Sequence, residues 1–289
     1  MVTVALLGTG LLGSAIATRL LSVGCSLRVW NRDPDRCQPL MSAGAQRFDD
    51  PAQAVAGAST VITVLRDGPV TSAVVASLGD LDQCCVMPMG TMGISESVSL
   101  AQQVRAQGGS YLEAPVLGSR PEAQKGTLLV MAGGDPEVFA LQRPLLKHLG
   151  SDPLRMGDVG TGAAAKLALN QLIASLTHGY SLALRLVQAS GLEVDRFMEV
   201  LRPSALYAPT VDKKLERMLT EHYGDPNFST SLLRKDLNLF LREADLAGVD
   251  ASALEGLARL LQRAEGTDLD AGDYSALHAL TTISSDTSE

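Results

Sequence analysis

Val2-Thr3-Val4-Ala5-Leu6-Leu7 runs directly into Gly8-Thr9-Gly10-Leu11-Leu12-Gly13. A β-prone apolar run, then glycines at G-x-G-x-x-G spacing, then an apolar helical pattern predicts strand, tight turn and helix. In that arrangement Gly8 permits the turn, Gly10 lets a pyrophosphate approach the backbone, and Gly13 lets the helix pack closely on the strand. The free amides of the helix N-terminus then face phosphate. Gly8, Thr9, Gly10, Leu11, Leu12 and Gly13 are therefore candidate nucleotide contacts.

Outward from this turn, β-rich runs at 26–30, 60–65, 84–89 and 128–132 alternate with helical spacing at 11–23, 34–43, 70–78, 94–107 and 136–149. Such alternation predicts a parallel sheet with crossover helices on both faces. From Gly160 the strand signal fades, and helical patterns follow at 163–190, 194–201, 210–222, 232–247 and 251–264. Gly191 and Gly248 stand where helix ends are expected. The expected fold is α/β, a doubly wound parallel sheet over residues 1–160 joined by a long helix to an all-helical domain over 161–289. The tail at 284–289 is expected to fray.

The 289 residues are 46% hydrophobic and 19% charged, enough apolar side chain for packed cores. A formal charge of −8, with no run of Lys and Arg, argues against nucleic-acid and anionic-membrane partners. Cys25, Cys37, Cys84 and Cys85 show no C-x-x-C or ligand spacing, so reduced thiols and a cytoplasmic location are expected. Met1 leads almost at once into the first strand, without the basic segment of a secretory signal. The longest apolar stretch, 163–187, carries Lys166, Asn170, Gln171, His178 and Arg185, which are costly against lipid. The four histidines are dispersed, and no metal site is expected.

The second strand ends in Asn31-Arg32 rather than in the carboxylate that accepts ribose hydroxyls in NAD-binding versions of this turn. Neutral Asn31 tolerates a 2′-phosphate, and the Arg32 guanidinium can pair with it. NADP is the cofactor expected. Asp33 and Asp35, close by, weaken the local positive field.

Lys166 and Asn170 stand four apart in an apolar helical pattern, so both project from one face. Desolvation lowers a lysine pKa and suits the amine to proton exchange near neutral pH. The alternative is a lysine that buries its stem and keeps its head wet.

Glu113-Ala114-Pro115-Val116-Leu117-Gly118-Ser119 and Gly160-x-Gly162-x-x-x-Lys166-x-x-x-Asn170 resemble the β-hydroxyacid dehydrogenases, which include 3-hydroxyisobutyrate dehydrogenase, tartronate semialdehyde reductase and glyoxylate/succinic semialdehyde reductase. The resemblance runs from Met1 to about Leu280, in the family's order. It implies hydride transfer between NADPH and a small carboxylate-bearing aldehyde or alcohol, with Lys166 moving the proton and Asn170 holding the substrate oxygen or the amine. It implies that amides of Leu117, Gly118 and Ser119 receive the substrate carboxylate, although Leu117 stands where the family usually has serine and Ser119 where it has glycine. By the same resemblance Phe228 and Lys235 serve substrate or cofactor, while Thr91 and Leu65 lie along the cofactor. A homodimer or homotetramer is implied as well.

Asn31-Arg32 and the Glu-Ala-Pro-Val-x-Gly-Ser loop lean towards the glyoxylate/succinic semialdehyde reductase branch. 3-Hydroxyisobutyrate and tartronate semialdehyde are the alternative substrates. A reading of another class is a non-catalytic, NADP-binding dimeric scaffold, which loss of the lysine and added basic segments would mark. Neither mark is present.

Overall fold

A computed structural model of the chain describes residues 2–282, so the 284–289 tail lies outside the described residues. The strands are β1 (Thr3–Leu7), β2 (Ser26–Trp30), β3 (Gln46–Arg47), β4 (Thr60–Thr63), β5 (Cys85–Pro88), β6 (Ser110–Glu113), β7 (Val116–Leu117), β8 (Leu129–Gly134) and β9 (Leu154–Gly157). They form one sheet in the order β3-β2-β1-β4-β5-β6-β8-β7, with β9 beside β8. Every pairing from β3 to β6 is parallel.

The helices interleaved with them are α1 (Leu11–Ser22), α2 (Gln38–Ser42), α3 (Pro51–Val55), α4 (Gly68–Ala76), α5 (Ile94–Ala106), α6 (Arg120–Lys125) and α7 (Pro136–Leu146). They cover both sheet faces, and β1 shows how. Val4 and Leu6 enter a core with Ile16 and Leu20 of α1 and Leu146 of α7. Ala5 and Leu7 point the other way, to Val75 of α4 and to Leu100 and Val104 of α5. Strand side chains alternate between faces, so an apolar run buried on both sides fixes β1 at the centre of the sheet.

Three expectations are corrected. The run at 128–132 forms β8, but β8 lies antiparallel to β6 and β7. A parallel return needs a crossover of a dozen or more residues, whereas the short 118–128 connection holds only α6, which packs on α1. The helix expected over 34–43 is a 3-10 turn at Pro34–Cys37 followed by the short α2, which restarts at Gln38-Pro39. The 251–264 helix likewise opens as a 3-10 turn, Ser252–Leu254.

The chain divides into two compact units, Met1–Leu167 and Ala168–Glu289, and the division falls inside helix α8 (Thr161–Ala189). The second unit holds α9 (Val194–Leu201), α10 (Thr210–Leu219), α11 (Thr230–Leu246), α12 (Glu255–Gln262), α13 (Asp268–Ala271) and α14 (Leu277–Leu280). Leu233 and Leu237 of α11, Leu257 and Leu261 of α12, Tyr274, Leu277 and Ala174 build its main core. The Lys214 ammonium, 2.7 Å from the buried Asp273 carboxylate, ties α10 to the turn before α14.

No helix among the described residues is long and apolar enough to cross a membrane. All four cysteines are free, and burial pushes the thiols of Cys84 and Cys85 up to about 11 and about 12, which leaves them protonated and unreactive.

His278 in α14 is fully buried, and neither ring nitrogen has a hydrogen-bond partner. Burial, reinforced by the Arg185 charge, lowers its pKa from 6.5 to about 4. Above pH 6.5 both folded and unfolded imidazole are neutral, and its contribution to stability is fully present. As pH falls from 6.5 towards 4 the unfolded chain takes up a proton that the folded chain refuses, so stability is lost across that window. The loss reaches about 3 kcal/mol by the linkage slope. His278→Leu, compared with the parent by thermal melts from pH 7.5 to 4.5, is expected to show a shallower decline; parallel declines would remove the assignment.

Candidate active site

The parallel strands deliver a row of turns at their carboxyl ends, where an open sheet binds ligands. At the end of β1, Gly8 adopts φ +103°, and its N–H donates to Trp30 O at 2.8 Å. A Cβ on Gly8 would lie 2.4 Å from Val64 O, and one on Gly13 would lie 1.9 Å from Gly8 O. These two glycines serve the chain's own packing. Gly10 differs, because a Cβ there would meet nothing within 4 Å. The open space beside Gly10 adjoins the start of α1, whose first amides have no intrahelical acceptor. Leu11 is exposed there, and Thr9 is buried against Cys37 with its Oγ1 3.6 Å from the sulfur. An anionic nucleotide fits this cradle, since it needs a close approach to backbone and amides without competing acceptors.

At the end of β2, Asn31 donates to Asp33 O at 2.9 Å, and Asp33 takes Arg36 as its ion-pair partner at 3.2 Å. Arg32 is exposed and outside that pair. The ends of β4 and β5 come close together, because a Cβ on Gly90 would sit 2.7 Å from Leu65 O. Leu65 is half-buried beside that approach, and Thr91 follows it.

Next to these turns a crevice is lined by Pro88, Gly90, Met92, Glu113, Pro115, Ala163 and Lys166. Lys166 is half-buried, on the second turn of α8. Beneath it Glu113, 2% exposed at the end of β6, points its carboxylate at the N-terminus of that helix. Oε1 accepts from the backbone N–H of Gly160 at 2.8 Å, Gly162 at 2.7 Å and Ala163 at 3.3 Å. Oε2 accepts from Ser97 Oγ, which lies 2.7 Å from Tyr111 Oη. Burial pushes the Glu113 carboxyl above the usual carboxylate range, while Ser97 and the three amides pull it down.

The loop expected to seat a carboxylate is more ordered than its sequence implies. Leu117, half-buried, is part of β7 and pairs with Leu129. Gly118 adopts φ +127°. Ser119 caps α6, and both its N–H and its Oγ donate to Glu122 Oε2, at 2.8 and 2.9 Å. The Ser119 amide thus already serves a carboxylate of this chain.

In the second unit, Asn170 is 1% exposed, and its Nδ2 donates to Asp236 Oδ2 at 2.6 Å. Lys235 Nζ sits 2.8 Å from Asp236 Oδ1. Asn170 Oδ1 is buried with no hydrogen-bond partner, an acceptor still in need of a donor. Phe228 packs edge-on against Tyr274, with ring centroids 5.8 Å apart, at the margin of the helical core. The spacing of residues in the sequence assigns no role to the two carboxylates that organise these groups, Glu113 and Asp236. The available signal was their cost, because each is a charge inside an apolar pattern. Among the described residues no group of three or more His, Cys, Asp or Glu could hold a metal ion.

A Rossmann sheet with a glycine cradle and a lysine crevice beside it defines a class of nucleotide-dependent oxidoreductase. Residues 3–160 match the profile of the NAD binding domain of 6-phosphogluconate dehydrogenase, and residues 160–281 match that of the NAD-binding domain of NADP-dependent 3-hydroxyisobutyrate dehydrogenase. The chain belongs to the β-hydroxyacid dehydrogenase family, and its first unit carries an NAD(P)-binding domain.

It is 30% identical over 279 residues to glyoxylate/succinic semialdehyde reductase 1 of Arabidopsis thaliana, covering 95% of this chain and 96% of that protein. It superposes with a TM-score of 0.86 on Mycobacterium tuberculosis 3-hydroxyisobutyrate dehydrogenase with L-serine, at 25% identity, covering 98% of this chain and 100% of that one. It is also 26% identical over 277 residues to the human cytokine-like nuclear factor N-PAC, covering 94% of this chain and 50% of that protein.

Proposed function

We propose that this chain is an NADP-dependent reductase of small carboxylate-bearing aldehydes, with glyoxylate and succinic semialdehyde as preferred substrates and Lys166 as the proton-transfer residue. The observation that carries the reading is Lys166 itself, lining a crevice with Gly90 and Pro115 beside the strand ends of the nucleotide-binding sheet. The similarity to a glyoxylate/succinic semialdehyde reductase supports the substrate class.

A nicotinamide cofactor, which the glycine turn at 8–13 and Arg32 would hold, would supply the hydride chemistry. The remaining chemistry is proton movement. Aldehyde, hydride and one proton give the alcohol, and Lys166 Nζ donates that proton to the carbonyl oxygen; in reverse it removes the hydroxyl proton. Asn170, one turn further along α8, offers its unpartnered Oδ1 to the amine or to the substrate hydroxyl. Gly118, Lys235 and Phe228 remain candidates for holding the rest of the substrate. Ser119 joins them only by releasing Glu122. Self-association of the helical unit belongs to the same reading, and Leu172, Leu182 and Leu186, 50%, 49% and 73% exposed on α8, support it.

The assay is NADPH oxidation across glyoxylate, succinic semialdehyde, tartronate semialdehyde and, in reverse, 3-hydroxyisobutyrate, each with both cofactors. Turnover of the first two with NADPH is expected. Cofactor binding without turnover on the whole panel would replace this reading with a scaffold role.

Arg32 tests the cofactor choice. Its one acidic neighbour with a salt bridge, Asp33, is taken by Arg36, which leaves the Arg32 guanidinium for a 2′-phosphate. Arg32→Ala is expected to raise the KM for NADPH about tenfold or more, since a charged hydrogen bond contributes ~1.5–3 kcal/mol. The KM for NADH should barely move. Equal effects on both cofactors would remove the NADP preference from this residue.

A further inference from the structure

Hydride transfer with Lys166 as the proton carrier leaves Glu113 without a task, yet the chain is built around its carboxylate. Three backbone amides of the segment 160–163 converge on Oε1, and a buried serine hydroxyl takes Oε2. Two glycines clear the space. A Cβ on Gly133 would lie 2.1 Å from Oε1, and one on Gly162 would lie 3.0 Å from it and 2.5 Å from Met131 O. The amides that open a helix have no acceptor within the helix, and the positive end of the helix dipole favours an anion there. Glu113 therefore supplies, from a neighbouring strand, the acceptor that the first turn of α8 lacks.

We propose that Glu113 is a positioning residue for proton transfer: its buried carboxylate pins the first turn of α8 to the end of β6 and thereby holds Lys166, on the following turn, at its place in the crevice. The proposal rests on the reading of Lys166 as the proton carrier. Glu113 touches neither substrate nor cofactor in this scheme. Its effect is geometric, and it arises because a lysine on a helix can be only as well placed as the helix start. What the three amides require is an acceptor oxygen, so an amide oxygen in the same position can do the same work.

Three variants and two readouts test it. Glu113→Ala removes the acceptor and is expected to lower kcat roughly 100-fold, the scale that follows from a displacement of about 1 Å at a reacting group. Its affinity for NADPH, titrated directly, should stay near the parent value, because the glycine turn of β1 and α1 is untouched. Glu113→Gln keeps a carbonyl oxygen for the three amides and is expected to retain most of kcat. Gly133→Ala leaves the carboxylate in place chemically but drives it off its seat, so its kcat should fall like that of Glu113→Ala.

Amide hydrogen exchange over 160–166 is the readout independent of activity. Exchange should quicken in Glu113→Ala and Gly133→Ala and stay slow in Glu113→Gln. A purely structural role would lower the melting temperature and leave kcat per folded molecule unchanged, and that result overturns the proposal. So does a Glu113→Gln enzyme as impaired as Glu113→Ala. If Glu113→Ala does not fold, Gly133→Ala and Glu113→Gln still decide between these outcomes. Lys166→Ala run alongside separates the two levels. An active Lys166→Ala overturns the proton-transfer reading itself, whereas an inactive Lys166→Ala beside a fully active Glu113→Ala overturns only the role given to Glu113.

Discussion

Lys166→Ala is expected to lower kcat by roughly 10²–10⁴-fold, the range over which a positioned general acid or base contributes, while NADPH binding stays close to that of the parent. The expectation follows from where the side chain is. Lys166 lines a crevice otherwise made of Pro88, Gly90, Met92, Pro115, Ala163 and the carboxylate-bearing Glu113, and that carboxylate is already committed to backbone amides. Among the described residues that line the crevice, no other side chain is left to donate the proton once the amine is removed. The nucleotide cradle at 8–13 belongs to a different strand end, so a fluorescence titration of NADPH should report an intact cofactor site. Stopped-flow single turnovers then separate the chemical step from product release. An Lys166→Ala enzyme that is folded, binds NADPH and turns over at the parent rate would end the assignment.

The glycine turn gives the second large effect, and its two halves differ in kind. Gly13→Ala places a Cβ 1.9 Å from Gly8 O. No flexible side chain is there to yield, so α1 must move off β1. A loss of about 3 kcal/mol or more is expected from overpacking against backbone, visible as a lower melting temperature without any ligand. Gly10→Ala meets nothing within 4 Å, and Gly10 sits at φ −71°, a conformation open to alanine. Its ligand-free stability should match the parent. If the space beside Gly10 is where the pyrophosphate lies, the methyl group occupies it, and the affinity for NADPH should fall by about tenfold or more, some 1.4 kcal/mol. Melting curves with and without NADPH check both. A Gly10→Ala protein stabilised by NADPH as strongly as the parent would place the phosphates elsewhere.

Much of this was readable from the residues. The apolar alternation and the glycine spacing fix β1, α1 and the parallel order around them, because both patterns are local consequences of a sheet buried on two faces. The long helices were equally plain, with α8 expected at 163–190 and found at Thr161–Ala189. Short or polar strands were not. β3 is only Gln46–Arg47, and β9 carries Arg155; neither has enough apolar contrast to stand out from a turn. The reversal of β8 is invisible in its composition, since an apolar strand looks the same run in either direction. Among site residues, Lys166 drew notice through spacing to Asn170 within one helix. Glu113 did not, because the amides it serves lie 47 to 50 residues further along. The resemblance implies an open Ser119 amide, and only the local cap geometry shows Glu122 already on it.

β8 begins opposite β7 and ends opposite β6, so a single strand staples both sides of the Ala114-Pro115 step. Leu117 consequently hangs from a rigid bracket rather than from a swinging flap. Exchanging it for a smaller or polar residue should reshape the neighbouring space while the bracket itself stays put. Under the proposed reading of the 117–119 loop as a substrate contact, position 117 would be a place where substrate choice can be retuned one side chain at a time.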